Sequence, residues 1–207
     1  MSTTTHAQRI LRLASRRGLL RARDLARDDI PRATLSRLVA RGELTQVSRG
    51  LYALPRQTRS GQHQLAEIAA RIPQSVFCLL TALRFHQLTT QSPHEVWLAI
   101  PNKAHAPKLD YPPLHIVRFS GSSLTAGIES HNVDGALIRV YSVAKTVADC
   151  FKYRNKIGLD VALEALRECR RQLAEAQGVP PYVIFHDRTL REMCADLPRS
   201  ATQMGRI

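Results

Sequence analysis

What this chain lacks narrows the reading first. No apolar run approaches the about 20 residues needed to cross a bilayer, so no membrane partner is expected. The N-terminal run MSTTTHAQRILRLASRRG has no apolar secretory core. Its Arg-rich, amphipathic character also fits an organelle transit peptide, but the first helix of a folded domain accounts for it better. The four cysteines, Cys78, Cys150, Cys169 and Cys194, lie far apart with no CxxC pair. They read as reduced, mostly buried thiols of a cytoplasmic protein, which excludes a disulfide framework and a zinc site. The eight histidines form neither an H-E-x-x-H motif nor an i, i+4 pair, so no metal and no cofactor is expected. Acidic residues are also scarce: 17 Asp and Glu stand against 30 Lys and Arg, leaving +13.

The excess of positive charge is uneven. Residues 1–60 hold 13 Arg and no Lys against Asp24, Asp28, Asp29 and Glu43, a net +9. Such a segment repels itself and favours a polyanionic partner, although a solvated basic face is the plainer account of a charge run. The run IPRATLSRLVARGELTQVSRGLYAL, residues 30–54, gives the charge a context. Proline in the first helical turn loses no needed N–H, so Ile30–Pro31 opens a helix with Pro31 as its first residue. Leu35, Leu38 and Val39 form one apolar stripe, with Ala33, Arg37 and Ala40 opposite. Ser36 lies on one shoulder, Thr34 and Arg41 on the other. Small residues let a helix approach a groove, and arginine reaches guanine edges or phosphates. Gly42 stops the helix. Leu44–Val47 and Leu51–Leu54 read as strands joined by a basic tip, Ser48-Arg49-Gly50. The competing account is a helix and hairpin that merely pack together.

Upstream, residues 6–17 read as a helix with Ile10, Leu13 and Ala14 inward and Arg9, Arg12 and Arg16 outward, ended by Gly18. Leu19 and Leu20 lead into a short second helix over residues 21–26. Three helices and a wing suit a winged helix-turn-helix over residues 1–58. The polar run PRQTRSG, residues 55–61, reads as a linker. Beyond it, residues 62–72 form a helix with Leu65, Ile68, Ala69 and Ile72 on one face. Residues 76–80 are too short to assign by period, 81–87 read as helix, and 94–100 and 114–119 as strands. Asp134-Gly135 supplies the positive φ of a hairpin turn between strands 128–133 and 136–141. Ser142 caps a helix reaching Arg154 with Val143, Val147, Ala148 and Phe151 inward, and Asp160 caps the next, to Gln177. The fold class is therefore α+β.

The winged-helix run, with CLLTAL, PHEVWLAIP, YPPL, RFSG, GIE and YSVAKTVADCFKYRNKIGLDVALEALRE, resembles the AbiEi antitoxins of type IV abortive-infection toxin–antitoxin systems over about residues 8–168. Residues 141–168 carry the most specific part of that likeness. The resemblance implies a winged helix that binds promoter inverted repeats, as a homodimer on double-stranded DNA, and represses its own operon. It further implies a mixed α/β antitoxin domain, here residues 61–170, that counteracts a nucleotidyltransferase-like toxin. The run VPPYVIFHDRTLREM within residues 171–207 resembles the HRDC domain of RecQ-type helicases instead. A partial HRDC-like helical tail, joined through the helix LEALR (163–167) common to both likenesses, is the expectation. In that tail Leu190, Met193, Cys194 and Leu197 share one face of a helix capped by Asp187. The stripe is expected to complete the neighbouring core. A nucleic-acid grip through Arg188 and Arg191 is the alternative.

Catalytic patterns fail on their companions. Ser142-Val-Ala-Lys145 matches S-x-x-K, but the S-D-N and K-T-G motifs that accompany it are absent, and a cap with a surface lysine explains the pair. The small-residue loop 119–127 lacks a P-loop signature and paired aspartates for Mg²⁺. An enzyme is therefore not expected. The DNA-contacting set is Arg21, Arg23, Arg32, Ala33, Thr34, Ser36, Arg37, Arg41 and Arg49. Lys145, Lys152, Arg154 and Lys156 form a second basic patch that faces the antitoxin's target or RNA, or is only a solvated helix end. The alternative function is an RNA- or protein-binding module without sequence-specific DNA binding.

Overall fold

The computed structural model describes residues 5–25, 30–55, 62–109, 111–186, 188–189 and 192. The Leu190–Leu197 stripe, its Asp187 cap, Arg191, Cys194, Asp28, Asp29 and most of the expected linker lie outside them. The chain divides into two units, Met1–Ser75 with Ser130–Arg139, and Val76–Glu129 with Val140–Ile207.

In the first unit, helix α1 (His6–Arg17) begins with a reciprocal cap. Thr5 Oγ1 accepts from the Gln8 N–H at 3.3 Å, and Gln8 Oε1 accepts from the Thr5 N–H at 3.1 Å. Gly18, at φ +71°, ends it by donating to Ala14 O at 2.9 Å. The chain then enters strand β1 (Leu19–Arg21), where sequence patterning suggests only a lead into the second helix. Three residues are too few to show a period; pairing with β3 (Leu51–Ala53), Leu19 opposite Ala53 and Arg21 opposite Leu51, makes them a strand. Helix α2 (Ala22–Leu25) follows, its first N–H donating to Gly50 O at 2.9 Å.

Helix α3 (Arg32–Ala40) starts one residue later than expected. Pro31 has an extended ψ of 134° and stands outside the helix as its N-cap, not as its first residue. Gly42, at φ +70°, closes the helix through Val39 O. Strand β2 (Thr45–Ser48) then pairs antiparallel with β3, with a bulge between Gln46 and Ser48, and the sheet runs β1-β3-β2. Ile10, Ala14, Leu20, Leu25, Ile30, Leu35, Leu38 and Leu44 form one buried cluster. Each large side chain contributes about 1.5–3 kcal/mol on burial, and Leu35 and Leu38 anchor α3 in this cluster. Helix α4 (His63–Arg71) buries Leu65, Ile68 and Ala69, and Arg21 Nη2 donates to Ala69 O at 3.5 Å. The His63 ring lies 2.8 Å from Asp134 Oδ2 and 3.0 Å from Glu67 Oε1, joining α4 to the Asp134-Gly135 turn.

The second unit begins with β4 (Val76–Phe77) and α5 (Leu79–Phe85), so the unassigned apolar run is part strand and part helix. Next come β5 (Val96–Pro101), β6 (Leu114–Phe119) and the turn-length α6 (Ser122–Thr125); the hairpin of β7 (Ile128–Val133) and β8 (Ala136–Tyr141) starts and ends in this unit, while its middle, Ser130–Arg139, belongs to the first. The sheet runs β6-β5-β4-β8-β7, parallel between β5 and β6 and between β4 and β8, antiparallel between β4 and β5. Asp134 (φ +48°) and Gly135 (φ +76°) make the expected turn between β7 and β8. Helices α7 (Val143–Lys152), α8 (Arg154–Ile157), α9 (Leu159–Gln177) and α10 (Pro181–Ile184) follow. The architecture is α+β, with a helical C-terminal portion.

Two local expectations change. Ser142 does cap α7, its Oγ accepting from the Lys145 N–H at 3.4 Å. The face of α7 is rotated, however: Ala148 is exposed while Thr146, Val147, Asp149 and Cys150 are buried. Thr146 Oγ1 donates to Tyr141 O at 3.1 Å and Lys145 pairs with Asp149, so these polar side chains are satisfied inside. At α9, Gly158 (φ +95°) takes the N-cap position, and Asp160 sits in the first turn, where its charge suits the helix dipole. Val161, Ala162 and Ala165 enter the core with Cys78, Leu83, Trp97 and Val117. The Glu164 carboxylate accepts from the Thr90 N–H at 3.2 Å. The LEALR segment thus lies inside one 19-residue helix that runs through the expected 170/171 boundary.

Candidate nucleic-acid interface

The outward face of α3 is set by which residues its core claims. Thr34, Leu35 and Leu38 are buried, leaving Arg32, Ala33, Ser36, Arg37, Ala40 and Arg41 exposed. Thr34 is 6% exposed, so its side chain turns into the core and not onto the shoulder beside Arg41 where the helical wheel puts it. Instead its hydroxyl accepts from Arg37 Nη2 at 3.4 Å, while Arg37 Nε donates to Ala33 O at 3.4 Å. These two bonds lay the guanidinium along the exposed side of the helix. Arg41 is held at 4.0 Å from Glu43, a loose pair at the exposed C-terminal end.

Beside this face lies a cleft of about 570 Å³ lined by α3, the wing, β1, α2 and the end of α4. Five arginines enter its lining: Arg21, Arg23, Arg32, Arg49 and Arg71, with Ser36, Gln46 and Tyr52 between them. Among the described residues, none of the lining side chains is a carboxylate. Arg23 approaches Asp24 at 4.0 Å. Burial lowers the Arg21 guanidinium from its usual range, Asp24 opposes that and Arg23 adds to it; the group stays charged, as arginines in proteins do. The cleft therefore combines donors from elements that are far apart in sequence.

The second basic patch divides on inspection. Lys145 is not a surface residue: its side chain is 16% exposed, pairs with Asp149, and its Nζ lies 4.6 Å from the Tyr141 ring centre and 4.8 Å from that of Phe119. Lys152 and Lys156 remain exposed, within 5.9 Å and 5.8 Å of the Tyr153 ring, and Arg154 Nη1 donates to Phe151 O at 2.9 Å. Burial pushes the Cys78 thiol well up and the Cys150 thiol to about 12, so both stay protonated and inert at neutral pH. Among the described residues, no helix is long and apolar enough to cross a membrane.

Comparison with known families falls on this geometry. Residues 8–55 match the family described as transcriptional regulator, AbiEi antitoxin. That span runs from α1 through the wing and contains the exposed face of α3. Residues 160–207 match the HRDC domain, so a second likeness begins within α9 and extends to Ile207. The chain is similar to the ATP-dependent DNA helicase RecQ of Haemophilus influenzae, 43% identical over 42 residues, or 20% of this chain and 7% of that protein. It is likewise similar to the ATP-dependent DNA helicase RecQ of Bacillus subtilis, 49% identical over 39 residues, or 19% of this chain and 7% of that one. The chain thus spans 7% of the length of these two relatives.

Sequence reasoning puts Arg21, Arg23, Arg32 and Arg49 in the DNA-contacting set, and they meet in the cleft with Ser36. Arg37 and Arg41 belong to the exposed helix face. The same reasoning misses Arg71, which it leaves in an ordinary amphipathic helix. No local pattern marks it, because the packing of α4 against β1 is what brings it to the wing.

Proposed function

We propose that this protein is a DNA-binding autorepressor and the antitoxin of a type IV toxin–antitoxin system. It binds inverted repeats in its own promoter as a two-fold pair of winged helices, and counteracts a nucleotidyltransferase-like toxin. The observation that carries the DNA half is the exposed α3 face of small residues and arginine beside an arginine-lined cleft, all of it except Ala70 and Arg71 in the span similar to antitoxin regulators. Winged helices place such a helix in the major groove and a basic wing along the backbone.

The two surfaces have separable signatures. Arg37→Ala removes a side chain that reads base edges, so it should weaken the specific site by about 1–3 kcal/mol and leave non-specific DNA nearly untouched. Arg49→Ala removes a phosphate contact; it should weaken every duplex alike and flatten the salt slope by about one. Gel shifts on promoter and scrambled duplexes, with a salt titration, distinguish these effects. Promoter binding by both variants at the wild-type level would sink the docking face.

The HRDC-like segment is proposed to serve the fold. Val161, Ala162, Ala165 and Ala174 of α9 are buried, and Gln172 Nε2 donates to His86 O at 3.2 Å. A helix so engaged by its own unit is a poor candidate for a free nucleic-acid grip.

A further inference from the structure

We infer that Arg71, on α4 and outside the winged helix, is a phosphate contact, and that the arginine cleft seats one phosphodiester strand of the bound duplex. This rests on the reading of residues 30–54 as a DNA-binding winged helix. The family likeness ends at residue 55, yet the cleft does not. Its lining continues through Ala70 and Arg71 at the C-terminal end of α4. The placement is built into the fold: Arg21, itself in the lining, donates to Ala69 O, two residues before Arg71, and β1 pairs with the wing strand β3.

Shape and chemistry select the ligand. The opening lies between the N-terminal half of α3, through Arg32 and Ser36, and the wing, through Gln46 and Arg49. A helix in the major groove and a wing on the neighbouring backbone leave one strand running between them, so a string of phosphodiesters enters the cleft. Guanidinium groups with Gln46 and Tyr52 beside them suit that string, because arginine donates in a fork that matches phosphate oxygens.

The test uses full-length protein and a labelled duplex carrying the upstream promoter, titrated between about 50 and about 200 mM salt. One lost phosphate contact lowers the log–log salt slope by about 0.9, equivalent to about fivefold in affinity near physiological salt. Arg71→Ala should show both changes on promoter and scrambled DNA alike, and Arg71→Lys should restore most of the slope. Arg84→Ala, the same charge change on an exposed α5 residue, should leave the slope unchanged. Equal flattening by Arg84→Ala would reduce the effect to net charge and overturn the inference. So would an unchanged slope in Arg71→Ala alongside a flattened one in Arg49→Ala, which leaves the winged-helix reading standing. An Arg71→Ala protein with normal DNA binding but lost tripolyphosphate binding would overturn it in favour of a free polyanion. Absence of duplex binding by the wild-type protein would instead sink the winged-helix reading together with this one.

Discussion

Gly18→Ala should destabilise the protein by about 2–5 kcal/mol, far more than a surface glycine substitution elsewhere. Gly18 sits at φ +71°, where a side chain costs about 1–2 kcal/mol in backbone strain alone. A Cβ built there would also lie 2.1 Å from Asp134 O and 2.6 Å from its carbonyl carbon. Both atoms are backbone in a tight turn held by the His63–Asp134 contact, so they cannot swing away as a side-chain tip would. Overpacking of this kind adds about 1–3 kcal/mol. Gly42 provides the contrast, because its φ is +70° but a Cβ there meets nothing within 4 Å. Gly42→Ala should therefore cost only the strain. Urea denaturation of both variants checks the difference. Equal losses would mean that the hairpin turn does not press on the end of α1 in solution.

Lys145→Ala should lower stability by about 3–5 kcal/mol at neutral pH, with a loss that shrinks in acid. Asp149 is 5% exposed and Lys145 is its ion-pair partner, so removing the lysine leaves a buried, uncompensated carboxylate. Burial already raises the Asp149 carboxyl above its usual range, while the Lys145 hydrogen bond, the Lys145 charge and the Lys152 charge pull it back. The folded state therefore holds this proton more tightly than the unfolded one. Its contribution is fully present below the unfolded carboxyl range, at about pH 4, and is lost as pH rises through the folded value. Without Lys145 the folded value climbs further, so the deficit of the variant widens towards neutrality. Melting temperatures of wild type, Lys145→Ala and Lys145→Ala/Asp149→Asn across that range provide the check. The double variant should recover most of the loss, since a neutral amide carries no charge to bury. A deficit that stays constant with pH would show that packing on Phe119 and Tyr141, not charge, is what Lys145 provides.

These two predictions mark where sequence reading stops. Gly18 is legible as a helix stop because glycine after an amphipathic run says so locally; its approach to Asp134 joins residues 116 positions apart and leaves no local trace. The strands and turn of the β7–β8 hairpin are legible for the same local reason, an Asp-Gly pair between alternating runs. Strand β1 is not, since pairing rather than period defines it. On α7, apolar counting favours Ala148 over Asp149, because a buried carboxylate becomes tolerable only once Lys145 is seen beside it. The helix face of the interface shows the same division. Spacing alone locates its small residues and Arg37, whereas Thr34 turns inward to the core and Arg71 joins the cleft through tertiary packing.

The central claim is that α3 and its wing bind duplex DNA as a two-fold pair. Footprinting of the full-length protein on the promoter upstream of its own gene tests this most directly. The account predicts two symmetric protected half-sites with centres about 10 bp or a multiple apart, and loss of both together when Arg37 is replaced by alanine. A single unpaired half-site, or protection that persists unchanged in Arg37→Ala, would contradict it.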